Sequence, residues 1–120
     1  MIMNNVLTEK EMVWHKVSAV ADFPENGGAC MKINEQQIAV FNFSKRNEWY
    51  ATQNLCPHKM QMILSRGMIG DKDGEPKVAC PFHKKSFSLK TGECLTGEDY
   101  SINTYPVKIE GGFVYVGIEA

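Results

Sequence analysis

The chain has 120 residues, 43% of them hydrophobic, and a formal net charge of −1, which suits one globular domain (residues 1–120) with a modest core. A charge so close to neutrality gives no ground for a nucleic-acid partner or an anionic membrane surface. No apolar run approaches a membrane span, and Met1 to Met12 carries Asn, Thr, Glu and Lys where a secretory signal would be apolar, so the expected location is cytoplasmic.

Taken in order, residues 1 to 12 form a polar lead-in with a short helical turn expected at Thr8 to Glu11. Met12 to Ala19 reads as a first strand, and His15 within it as a surface or half-buried strand residue. Phe23-Pro24-Glu25-Asn26-Gly27-Gly28 is dense in turn formers. Ala29 to Ile33 and Gln37 to Phe43 read as strands joined by the polar turn Asn34-Glu35-Gln36, and Glu48 to Gln53 as the next strand, feeding into Asn54-Leu55-Cys56. Asp71 to Pro76 is the expected exposed tip of a hairpin that returns through Lys77-Val78-Ala79 into Cys80. Ser86 to Leu89 and Glu93 to Leu95 flank a turn at Lys90-Thr91-Gly92. Pro106 to Glu110 and Phe113 to Ile118 bracket Gly111-Gly112, which suits a primed β-turn. Short strands at close spacing, with no long amphipathic helix, point to an all-β sandwich or barrel. Met60, Met62, Ile63 and Leu64 form an apolar patch beside Cys56, expected to shield whatever the cysteines hold.

The chemistry lies in Cys56-Pro57-His58 and its echo Cys80-Pro81-Phe82-His83. Each puts a thiolate former beside an imidazole, and a chain with four Cys and three His has little chance of doing this twice by accident. Zinc fingers usually run two Cys and then two His. Here the order is Cys, His, Cys, His, one pair per loop, which is what a [2Fe–2S] centre with two His on one iron requires. The pattern C-x-H…C-x2-H therefore resembles the Rieske signature, with Cys56, His58, Cys80 and His83 as cluster ligands. A structural zinc site using the same four residues is the alternative. Cys30 and Cys94 lack a histidine at ligand spacing and are expected to be free thiols.

Strands leading to two Cys-Pro…His loops with a hairpin between them resemble a Rieske-type ferredoxin over nearly the whole chain, with a cluster-binding subdomain at about residues 54–90. The likeness is to the small subunits of NAD(P)H-dependent nitrite reductases. It is carried by Cys56-Pro57-His58-Lys59, Leu64-Ser65-Arg66-Gly67, Gly74 to Pro81 and His83 to Gly92. The resemblance implies an electron-transfer subunit with no catalytic residue of its own. Its partner would be a large subunit carrying FAD, a [4Fe–4S] cluster and sirohaem, which reduces nitrite to ammonia. Ring-hydroxylating oxygenase ferredoxins share the ligands but typically have a glycine where Lys84 stands here, and a free-standing ferredoxin of that kind is the second reading. Respiratory Rieske proteins carry an extra Cys pair and two hydroxyl residues; Gln61 and Phe82, and Lys85 and Phe87, take those places here.

Formal charge explains the mixed ligand set. Two ferric ions, two sulfides, two thiolates and two neutral imidazoles sum to zero, whereas an all-cysteine cluster starts doubly negative and is harder to reduce. Two histidines raise the potential into a range of about −150 to +300 mV. Lacking the hydroxyls, this chain is expected near the low end. Lys59, Lys84 and Lys85 follow the two histidines and are expected to ring the tip, steering a partner with an acidic face.

Overall fold

A computed structural model describes residues 12–57, 60–81, 85–97 and 99–119; the helical turn expected at Thr8 to Glu11 lies outside them. β1 (Met12–Ala19) has the expected bounds and leads into a 3-10 turn at Val20–Asp22. β2 (Gly27–Ile33) begins earlier than Ala29, because both glycines pair in the ladder, Gly27 with Asn42 and Gly28 with Phe41. A Cβ on Gly28 would stand 2.7 Å from the Phe41 ring. Close packing, rather than a turn, is what requires glycine there.

β3 (Gln36–Phe43) returns through the two-residue turn Asn34–Glu35, both at positive φ (50° and 70°), the geometry that matches strand twist in tight hairpins. β4 (Glu48–Gln53) pairs along β3. Then the strands shorten. β5 (Leu55–Cys56) pairs with β6 (Gln61–Met62), and a second 3-10 turn covers Leu64–Arg66. β7 (Met68–Lys72), β8 (Glu75–Ala79) and β9 (Ser86–Ser88) form an antiparallel sheet in that order.

The β7–β8 tip is only Asp73–Gly74. Pro76, expected in the tip, is a buried residue of β8. The β9 ladder ends opposite Lys77, and beyond it Pro76 only accepts, its carbonyl taking the Leu89 N–H at 2.9 Å, so no amide is asked of it there. The next expected hairpin is reduced to β9 and a bridge from Phe87 to Cys94, with the Ser88 N–H on the Glu93 carbonyl at 2.8 Å, and Glu93 also bridges to Ser101. β10 (Thr104–Tyr105) adds to the edge of β4. β11 (Val107–Glu110) and β12 (Phe113–Glu119) form the hairpin expected around Gly111–Gly112, and β12 lies between β11 and β1.

These pieces stack on β3, whose residues Ile38 to Phe43 are all buried. Side chains alternate along a strand, so Ile38 and Val40 join Phe23, Ile33, Ala51, Val114, Val116 and Ile118 on one side. Ala39, Phe41 and Phe43 join Cys56, Leu64, Val78, Cys80, Phe87, Leu89 and Ile102 on the other. A strand buried on both faces reads as a continuous apolar run, as IAVF does here. Each of its large side chains contributes about 1.5–3 kcal/mol by leaving water. Among the described residues, no helix is long and apolar enough to cross a membrane.

Candidate metal centre

Cys56 ends β5 and is fully buried, and Cys80 directly follows β8 at 1% exposure. The loop leaving each cysteine closes back on it through the backbone. The Met60 N–H donates to the Cys56 carbonyl at 2.6 Å, and the Cys80 N–H donates to the Lys85 carbonyl at 2.8 Å. Both thiols belong to one buried cluster, whose other walls are aromatic and aliphatic.

Three sets of contacts brace the elements around this cluster. A Cβ on Gly67 would overlap the Ala79 carbonyl oxygen, so the chain leaving the second 3-10 turn presses on β8 one residue before Cys80. Arg46, in the β3–β4 turn, reaches the β7–β8 hairpin at Asp71 (3.8 Å) and at the Gly74 carbonyl (3.2 Å), with its Nε on Glu48 at 3.3 Å. Tyr50 packs edge-on against Phe43 at 5.6 Å between centroids and donates its hydroxyl to Glu48 Oε1 at 2.7 Å. Desolvation, then the hydrogen bond and charge of Glu48, push the Tyr50 phenol up to about 12.

Of the four expected ligands, Cys56 and Cys80 are brought into one cluster, while His58 and His83 lie outside the described residues, as do Lys59, Phe82 and Lys84. Lys85 is half-buried, not an exposed tip residue as expected, because its carbonyl is drawn in to Cys80. None of the four cysteines is in a disulfide. Cys30 is exposed on β2, its thiol donating to Gln37 Oε1 at 3.5 Å, and desolvation pushes its pKa up. Cys94 packs at the margin of the Cys56–Cys80 cluster, with Thr96 Oγ1 at 3.1 Å from its sulfur.

The expected apolar shield splits. Leu64 is fully buried, but Met60 and Met62 are 68% and 48% exposed. Met62 stands opposite Leu55 on the face away from Cys56, and alternation sends it outward. Sequence reasoning also passed over Asn54, a buried amide at the entry to β5. Its only sequence mark is a polar residue between an apolar strand and a cysteine.

Residues 13–117 match the Rieske-like [2Fe–2S] domain family. The chain belongs to that family. It is 36% identical over 104 residues to the nitrite reductase [NAD(P)H] large subunit of Klebsiella oxytoca, covering 87% of this chain but only 11% of that protein's length. It is 30% identical over 101 residues to the nitrite reductase (NADH) small subunit of Escherichia coli K12, covering 84% of this chain and 94% of that one. The solution structure of the E. coli protein NirD superposes with a TM-score of 0.81 at 28% identity, covering 91% and 99% of the two chains. The donor chemistry of this Rieske-like chain fits such a cluster: two buried, soft sulfur donors outside any disulfide, one per loop, in an apolar surround.

Proposed function

We propose that this chain is the electron-transfer small subunit of a cytoplasmic NAD(P)H-dependent nitrite reductase, a nitrate-assimilation enzyme that forms ammonia. Its partner is a large subunit bearing FAD, a [4Fe–4S] cluster and sirohaem. The observation that carries this reading is the pair of buried thiols, Cys56 and Cys80, one from each of two backbone-closed loops, in one apolar cluster. Similarity to the E. coli small subunit over 94% of its length supports the choice of partner.

In this reading Cys56 and Cys80 supply thiolates, and His58 and His83 imidazoles, to one [2Fe–2S] cluster. When bound, the cluster supplies one-electron transfer and no acid–base or nucleophilic chemistry. The chain's own residues set its surroundings. Leu64, Val78 and Phe87, all fully buried, keep water from the sulfur side. Phe87 has no hydroxyl to donate to sulfur, which holds the potential down.

The test begins with anaerobic purification, which should yield brown protein with iron and acid-labile sulfide in equal amounts. Zinc without sulfide would leave the structural-module reading instead. Adding the protein to its large subunit should then restore NAD(P)H-dependent nitrite consumption. Transfer to a ring-hydroxylating oxygenase, with none through the nitrite reductase, would favour the free-standing ferredoxin.

A further inference from the structure

Asn54 is 2% exposed and lies between β4 and β5, two residues before Cys56. Every polar group it has is used. Its backbone N–H donates to the Gln37 carbonyl at 3.1 Å, and its carbonyl accepts the Leu64 N–H at 3.0 Å. Its side-chain Nδ2 donates to Gln37 Oε1 at 3.0 Å and approaches Cys30 Sγ at 3.5 Å. Its Oδ1 accepts the Ser65 N–H at 2.7 Å. A backbone N–H only donates, so Oδ1 must face Ser65 and the amide orientation is fixed.

These bonds join three parts that are far apart in sequence: β3 of the body, the entry to the first cysteine loop, and the 3-10 turn Leu64–Arg66. That turn ends at Gly67, which lies flat against Ala79 beside Cys80. It also carries Leu64, which packs in the same cluster as both thiols. Asn54 is therefore covalently close to one cysteine and mechanically linked, through the turn, to the other. An apolar residue there would leave the Ser65 amide without its acceptor. A residue with only a donor would fail in the same way.

We propose that Asn54 is a positioning residue that sets the spacing of the Cys56 and Cys80 loops by bonding the 3-10 turn to β3. This rests on the reading of the two cysteines as thiolate ligands.

The experiment uses the full chain with Asn54→Ala and Asn54→Asp. Val116→Ala, in the cluster on the far side of β3, serves as a control matched for loss of melting temperature. In metal-free protein, amide hydrogen exchange should be at least about tenfold faster at Ser65 and Leu64 in Asn54→Ala, relative to the amides of β12. Asn54→Asp, which keeps the acceptor, should restore protection at Ser65. In cluster-loaded protein reduced by one electron with dithionite, Asn54→Ala should shift the electron paramagnetic resonance g-values and, in the oxidised protein, shorten the half-life of the cluster about tenfold, while Val116→Ala changes neither. Exchange at Ser65 within about twofold of wild type in Asn54→Ala, or a g-shift equally produced by Val116→Ala, would overturn the assignment. Wild-type protein that takes up no iron and sulfide would sink the ligand reading alone, since the exchange comparison needs no cluster.

Discussion

Met60 donates its N–H to the Cys56 carbonyl at 2.6 Å while its own φ is 55°, so the first cysteine loop is shut by a methionine in the left-handed region. Its side chain is 68% exposed and contributes little to the core. The left-handed conformation costs a residue with a Cβ about 1–2 kcal/mol. Glycine avoids that cost but loses roughly 0.4–1 kcal/mol through its freer unfolded chain. Met60→Gly is therefore expected to stabilise by about 0.5 kcal/mol, and Met60→Val to destabilise by more than about 1 kcal/mol. Urea midpoints of the two variants check both signs.

Cys56→Ser and Cys80→Ser are each expected to abolish iron binding, since in the proposed reading each removes one of two thiolates. Cys30→Ser and Cys94→Ser are expected to leave the iron and sulfide content unchanged. Metal analysis after anaerobic reconstitution decides it. Loss of iron in Cys94→Ser comparable with that in Cys80→Ser would show that the cluster-margin thiol had been misassigned.

The raised Tyr50 pKa fixes a pH window. An unfolded tyrosine loses its proton near pH 10, whereas the native phenol holds it to about 12. Between those values the native state binds more proton than the unfolded one. This group's contribution is thus fully present below roughly pH 10 and is lost as pH rises toward 12. Tyr50→Phe should flatten that limb of a stability–pH profile. An unchanged alkaline slope in the variant would assign the effect to other groups.

Electrostatic steering is the last expectation. Lys59 and Lys84 adjoin the histidines in sequence, while Lys85 is half-buried and is left unchanged in the test. The double reversal Lys59→Glu with Lys84→Glu should slow association with the large subunit several-fold at low salt. The difference should fade above about 0.15 M, where the screening length is about 8 Å. Stopped-flow rates equal to wild type at low ionic strength would mark both lysines as ordinary solvated side chains.

Strands marked out by their own composition and the turns that flank them were readable without coordinates. β1 and β4 have the expected bounds, and the Gly111–Gly112 hairpin follows from turn chemistry. Features set by a neighbour were not readable. Gly27 and Gly28 look like turn residues until Asn42 and Phe41 pair with them. Pro76 looks like a tip residue until β9 is seen to stop short of it. β5 and β6, at two residues each, carry no period. At the site, the paired loops were legible from Cys56 and Cys80. The bonds of Asn54 were not, because its partners Gln37 and Ser65 belong to other elements.

The two faces of β3 also bear on how the chain comes apart. A fragment of residues 54–90 would lack Ala39, Phe41 and Phe43, leaving Leu64, Val78 and Phe87 without the surface that covers them. Such a piece is expected to be unfolded in isolation, and heat should melt the loop end and the β1–β12–β11 end in one transition. Refitting the loops to another electron donor must then leave Ile38 to Phe43 alone, because successive residues there answer to opposite sides of the molecule.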